Sequence, residues 1–280
     1  MQEQIEIPSL GQTSFSEESV LGMAAPQVPY KILSVGRSDI GLVRLNNEDA
    51  WDELPAIGLY ILADGMGGHQ AGEVAAKETI EALCRIIKRK YSSIKNAPIA
   101  EVRELVRQAI IHVNKLIYRL GRTKPELRGM GTTLCCLLFH REGVVLAHVG
   151  DSRIYRLRGS KLELLTRDHS LLCQLIDLGQ LNPQQASDFL YKNIITKAIG
   201  TEPKVEPTVD SKRVLRGDLF LMCSDGLTDP LACEEIASIL KSTTPLEITA
   251  EQLIHGALEK GGRDNITVVL AFVEPGTSKK

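Results

Sequence analysis

The sequence predicts an α+β fold with β-sheets in the middle layers and helices outside them. Three observations carry that reading. Apolar runs in the middle of the chain are joined by two or three residues, and connections that short link only antiparallel neighbours. Segments with helical spacing come as a long pair ahead of this meander and a shorter pair after it. Strand-like runs also lie far apart in the chain, so distant segments must share sheets.

Residues 1–29 mix Gln, Glu, Ser, Thr and Pro without periodicity and end in Pro26-Gln27-Val28-Pro29. They read as a mobile leader to a domain over residues 30–275. Ile57–Ala63 is a compact apolar run ending at Asp64-Gly65, a buried strand with an acid at its tip. Between Ala71 and Lys90, Val74, Ala75, Ile80, Leu83, Ile86 and Ile87 fall at helical spacing. A second helix is predicted from Ile99 to Leu120, with Gly121 placed to close it.

The meander follows. Leu134–His140 and Val144–Val149 are separated by Arg141-Glu142-Gly143, and Arg153–Arg158 and Lys161–Leu165 flank Gly159-Ser160. Residues 167–200 are polar, rich in Gln and Asn, and read as a partly helical surface excursion. Val205–Val214 and Asp218–Cys223 are strand-like, Glu234–Leu240 and Ile248–Glu259 helical, and Ile266–Val273 a closing strand. There is no internal repeat and no clear linker after residue 30, which argues for one domain.

Composition excludes several classes. The formal net charge of −2 leaves no basic footprint for nucleic acid. Residues 1–30 contain no Lys or Arg and no apolar stretch of the secretory kind. The longest apolar runs, such as Leu134–Phe139, are six residues, whereas a membrane span needs about 20. The six cysteines form no CxxC pair and sit mostly in apolar segments, which suits a reducing compartment and makes the cytoplasm the default.

Four segments place an Asp at or beside a strand end, flanked by Gly or Asn: Asn47-Glu48-Asp49, Asp64-Gly65-Met66-Gly67-Gly68-His69, Ser224-Asp225-Gly226-Leu227-Thr228-Asp229 and Arg263-Asp264-Asn265. Each alone is a turn signal. Together they are harder to dismiss, because Asp64 and Asp225 follow apolar runs and Asp264 precedes one. Strand ends of a layered sheet can converge at one edge, and carboxylates gathered there repel one another unless cations sit between them. Hard oxygen ligands select Mg²⁺ or Mn²⁺ over zinc, and glycine after Asp64 lets a backbone carbonyl approach.

Competing readings are weaker. Asp64–Gln70 lacks the Lys-Ser/Thr of a nucleotide P-loop and the spacing of a dinucleotide fingerprint, and no H-E-x-x-H exists. Cys135 and Arg141 have the C-x5-R spacing of thiol phosphatases. That chemistry needs a loop of free amides and an acidified thiol, whereas Cys-Leu-Leu-Phe-His between them reads as a strand.

Arg44-Leu45-Asn46-Asn47-Glu48-Asp49, Asp64–His69, Gly129-Met130-Gly131-Thr132-Thr133, Gly150-Asp151-Ser152-Arg153, Ser224–Asp229 and Arg263-Asp264-Asn265-Ile266-Thr267 occur in that order. Over residues 31–273 the chain resembles the bacterial PP2C-type (PPM family) serine/threonine protein phosphatases. The resemblance implies a four-layer α-β-β-α sandwich, two mainly antiparallel central sheets flanked by helix pairs. It implies hydrolysis of phosphoserine and phosphothreonine by a hydroxide bridging two Mn²⁺ or Mg²⁺ ions, opposing a serine/threonine kinase.

By the same resemblance Asp64 bridges the metals, the Gly65 carbonyl binds one of them, and Asp225 and Asp264 hold the other. Glu48 and Asp49 support the cluster through water, and Arg44 grips the substrate phosphate. Asp151 and Arg153 are read as satisfying backbone groups in a turn, His69 as a first-turn helix residue without chemistry, and residues 167–200 as a flap beside the site. A third metal is not expected, since Leu127 and Arg128 stand where some relatives place an aspartate and the nearest carboxylate is Glu126. A monomer acting on phosphorylated proteins is implied, without nucleic-acid or membrane partners. A phosphoprotein reader without catalysis would lack a metal aspartate or Arg44, and none is missing; a hydrolase of small phosphate esters would use the same metal pair.

Overall fold

Two antiparallel sheets lie face to face at the centre of the protein and helices cover both outer faces. The structure is a computed structural model that describes residues 31–67, 71–182, 189, 191 and 194–274; the leader expected over 1–29 and His69 lie outside them. The strands are β1 (Ile32–Asp39), β2 (Asp49–Leu54), β3 (Leu59–Met66), β4 (Gly131–Thr132), β5 (Leu134–His140), β6 (Gly143–Val149), β7 (Arg153–Arg158), β8 (Lys161–Leu164), β9 (Thr208–Lys212), β10 (Leu219–Cys223) and β11 (Ile266–Val273). The helices are α1 (Ala71–Ile94), α2 (Ile99–Thr123), α3 (Leu171–Asp177), α4 (Asp225–Thr228), α5 (Cys233–Leu240) and α6 (Leu246–Glu259). One sheet has the order β1-β11-β10-β7-β8 and the other β2-β3-β5-β6-β9, with β4 paired to β3.

The layering explains why the central strands are apolar throughout instead of alternating. Side chains alternate between faces along a strand. In β5, Leu134, Cys136 and Leu138 join the core beneath α1 and α2, while Cys135, Leu137 and Phe139 join the core between the sheets. Both faces are covered, so both sets are hydrophobic. Phe139 meets Tyr60 of its own sheet edge-on at 5.7 Å and links the two sheets through an edge-on contact with Phe220 at 5.5 Å. A third core packs α4, α5 and α6 against β10 and β11. The predicted four-layer α+β architecture is therefore the observed one.

Two boundaries differ from expectation. The second helix does not close at Gly121 but runs to Thr123. Gly121 is buried inside it, where an added Cβ would stand 3.1 Å from the Leu127 carbonyl, so this glycine serves close packing rather than termination. Pro125 ends the helix by holding the preceding Lys124 extended. Strand β3 also continues through Asp64 to Met66, because Gly65 and Met66 pair with β4.

The excursion expected over 167–200 begins with α3 and is tied down by the bridges Ser170↔Ile195 and Thr132↔Ile199; residues 183–188, 190, 192 and 193 lie outside the described set. Among the described residues no helix is long and apolar enough to cross a membrane.

Candidate metal and phosphate site

The acids singled out in the sequence meet where strands of the two sheets end. Asp49 at the start of β2 lies directly opposite Asp64 on β3. The backbone of Asp64 is fixed on both sides by the Gly129–Thr133 segment: its N–H donates to Thr133 Oγ1 at 3.0 Å, and its carbonyl accepts from Thr133 N–H and Thr132 Oγ1, each at 2.8 Å. At Gly65 no side chain fits. A Cβ there would stand 2.2 Å from the Gly72 carbonyl and 2.6 Å from that of Glu48.

The other sheet supplies the second half. Asp225 opens α4 just after β10, and Asp264 lies two residues before β11. Ser224 stitches these segments together: its N–H donates to Thr267 O at 3.1 Å, its hydroxyl accepts from Thr267 N–H at 2.9 Å and donates to Asp49 Oδ2 at 2.8 Å. Asn265 joins the same edge to the loop after β1. Its side chain accepts from Glu48 N–H at 2.8 Å and donates to the carbonyls of Ile40 and Asn46, each at 3.0 Å. Arg44 reaches Asp264 Oδ2 at 2.6 Å.

Electrostatically the cluster is loaded with negative charge. Burial, and then the charges of Asp49, Asp225, Asp151 and Asp264, hold the Asp64 carboxyl well above the usual carboxylate range. Burial, followed by Asp151 and Asp264, pushes Asp225 up to about 7. Burial pushes Asp49 up to about 6 against the hydrogen bonds from Thr267 and Ser224. Glu48 is raised by burial and partly offset by Arg44.

Carboxylates brought together at such cost fit a divalent cation, which would relieve the repulsion they share. Among the described residues no three His, Cys, Asp or Glu side chains converge tightly enough to enclose an ion unaided. The gathered side chains are oxygen donors, which suit Mg²⁺ or Mn²⁺ rather than zinc.

Asp151 is the acid that sequence reasoning left out. Its Oδ1 is buried without a hydrogen-bond partner, and its carboxyl is pushed up to about 6 by burial and then by Asp168. Its charge acts on both Asp64 and Asp225. The signal was present: Val149-Gly150-Asp151 repeats the pattern of an acid following an apolar strand. Arg153 likewise does not serve the backbone of the turn. It makes a two-pronged ion pair with Asp168, with contacts of 2.7 and 3.0 Å.

Cys135 is buried inside β5, its thiol donating to the Ser152 carbonyl at 3.2 Å, and burial raises its pKa well above the usual thiol value. Arg141, beyond the far end of the strand, pairs with Glu142. The rejected thiol reading stays rejected.

The protein phosphatase 2C family model matches residues 38–259, which takes in Arg44, the Asp49–Asp64 pair and Asp225. The chain belongs to the protein phosphatase 2C family. It is 40% identical over 237 residues to the serine/threonine protein phosphatase PstP of Mycobacterium tuberculosis, covering 85% of this chain and 44% of that protein. This family member thus spans less than half the length of that relative. It is 38% identical over 237 residues to the serine/threonine phosphatase Stp of Listeria monocytogenes, covering 84% of this chain and 93% of the other.

Among solved structures it is similar to the catalytic domain of the serine/threonine protein phosphatase PstP in complex with two manganese ions. That likeness has a TM-score of 0.75 and 38% identity, covering 87% of this chain and 99% of the other.

Proposed function

We propose that this PP2C family member hydrolyses phosphoserine and phosphothreonine in proteins with the aid of two divalent cations, Mn²⁺ or Mg²⁺. The observation that carries the reading is the convergence of Asp49, Asp64, Asp225 and Asp264 with Arg44 placed 2.6 Å from Asp264. Asp64, the Gly65 carbonyl, Asp225 and Asp264 would hold the cations, with Glu48 and Asp49 supporting them through water. When bound, the cations activate a water for in-line attack and neutralise charge on the phosphate.

The chain's own groups do the rest. Arg44 offers a planar fork that matches two phosphate oxygens, and its attachment to Asp264 sets it at the rim of the cluster. Thr132 and Thr133 hold the Asp64 backbone, and Ser224 restrains the Asp49 carboxylate by donating to one of its oxygens. Asn265 fixes the segment that carries both Arg44 and Glu48.

In this reading the protein is a cytoplasmic monomer opposing a serine/threonine kinase. Its catalytic unit spans residues 30–275, with residues 167–200 as a flap beside the site. Turnover of a phosphothreonine peptide against a sugar phosphate, each with Mn²⁺, tests it. Preference for the peptide is expected, and faster cleavage of the sugar phosphate would make the protein a small-ester hydrolase instead.

A further inference from the structure

The loop between β1 and β2 embeds Arg44 in an apolar run, Ile40-Gly41-Leu42-Val43-Arg44-Leu45. Its large side chains face outward: Leu45 is 93% exposed, Leu42 69% and Val43 64%. Scattered exposed apolar residues are ordinary, but a contiguous group marks a contact surface.

This loop is fastened along its length. Leu42 N–H donates to the Gly262 carbonyl at 2.7 Å. Gly41 takes φ +79, and a Cβ there would stand 2.3 Å from the Asp264 carbonyl. Asn265 holds the carbonyls of Ile40 and Asn46. The apolar side chains are thus presented on the same fixed edge as Asp264.

We propose that Leu42, Val43 and Leu45 form an apolar rim that selects phosphopeptides with Leu, Ile, Val or Met beside the phosphorylated residue. The proposal rests on Arg44 being the phosphate grip. Arg44 is flanked on both sides of the chain by these residues, so a phosphate seated on its guanidinium brings neighbouring substrate residues over them. An extended peptide advances only about 3.3 Å per residue. Leu42, Val43 and Leu45 themselves carry no charge or hydrogen-bonding group, whereas an apolar flanking residue laid on them removes surface from water on both sides. A surface already fixed before binding loses little freedom on contact.

Kinetics of the full chain with Mn²⁺ test this on two phosphothreonine peptides, identical except for Leu or Ser on both sides of the phosphoresidue, and on p-nitrophenyl phosphate. An enclosed pocket discriminates a methylene by roughly 10–200-fold; for an open rim the wild type should favour the Leu peptide about 5–20-fold in kcat/KM. Leu45→Ser, and more fully Leu42→Ser/Leu45→Ser, should abolish that preference by slowing the Leu peptide alone, with p-nitrophenyl phosphate unchanged within about twofold. Leu45→Met should keep the preference.

Equal turnover of both peptides by the wild type overturns the rim while leaving the phosphatase reading intact. Parallel losses on all three substrates, or a change in sedimentation with the peptide preference retained, also overturn it, the latter by assigning these side chains to self-association. Cleavage of p-nitrophenyl phosphate with neither peptide touched sinks the protein-phosphatase reading and the rim with it.

Discussion

Arg44 and Asp264 lie 220 residues apart in sequence and share a charged hydrogen bond of 2.6 Å. That bond is the largest influence raising the Arg44 pKa, with Glu48 and Asp64 adding to it. The guanidinium is therefore held against the acidic cluster and stays half-exposed, open to an incoming anion. Arg44→Ala should raise KM for a phosphopeptide and lower kcat/KM by roughly 2–4 kcal/mol, as when one preorganised donor is lost. Arg44→Lys should rescue poorly, because an ammonium lacks the fork. Steady-state kinetics decide it; unchanged kcat/KM would remove Arg44 from the site.

Asp225 contributes charge that the folded state disfavours. Burial and the neighbouring acids push it from 3.8 up to about 7, so stability is lost as pH rises from the unfolded value through that range and stays lost above it. Asp225→Asn should raise the melting temperature of the metal-free protein at pH 8. It should lower kcat by roughly 10²-fold or more and shrink the stabilisation that Mn²⁺ gives, about 2.7 kcal/mol at a hundredfold excess over Kd for an intact site. Thermal melts with and without Mn²⁺ check this. An equal Mn²⁺-induced rise in wild type and variant contradicts it.

Asn265 joins the loop carrying Arg44 to the β11 edge through one accepted and two donated hydrogen bonds. Asn265→Ala leaves the Glu48 N–H and two carbonyls without their partner, at a cost of about 1–3 kcal/mol for each group that stays dry. Chemical denaturation should show the loss, and KM for phosphopeptide should rise as Arg44 loses its fixed position. A variant as stable and as active as wild type would remove this residue from the account.

Most of the architecture was legible because the periodicities are strong. The apolar runs Leu134–His140 and Val144–Val149 announced strands, and the connections at Arg141–Gly143 and Gly159–Ser160 announced antiparallel pairing. Gly121 misled because a glycine that permits close packing looks the same in sequence as one that ends a helix. Asp49, Asp64, Asp225 and Asp264 were legible through their shared place beside strand ends. Asp151 shares that place after the apolar run Val144–Val149, but Gly-Asp between strands also makes an ordinary turn, and the fold reveals its buried oxygen. The roles of Thr132, Thr133 and Ser224 depend on partners 43 to 175 residues away, which no local pattern encodes.

Cys135→Ser should leave kcat within about twofold of wild type. The thiol is buried and bonded to the Ser152 carbonyl, with its pKa raised, the reverse of what a nucleophile needs. A hydroxyl can keep that hydrogen bond, so the expected stability loss is about 1 kcal/mol. Kinetics after confirming the fold by circular dichroism give the answer, and a large fall in kcat in a folded variant would contradict the metal-based account.

The most direct test removes the cation. Phosphopeptide turnover is measured in excess EDTA, then after dialysis into Mn²⁺ or Mg²⁺, with a parallel sample alkylated at its thiols. An all-oxygen site predicts loss of activity in chelator, recovery with either cation, and persistence after alkylation. Full activity in excess EDTA, lost instead on alkylation, would contradict the account and return attention to the cysteines.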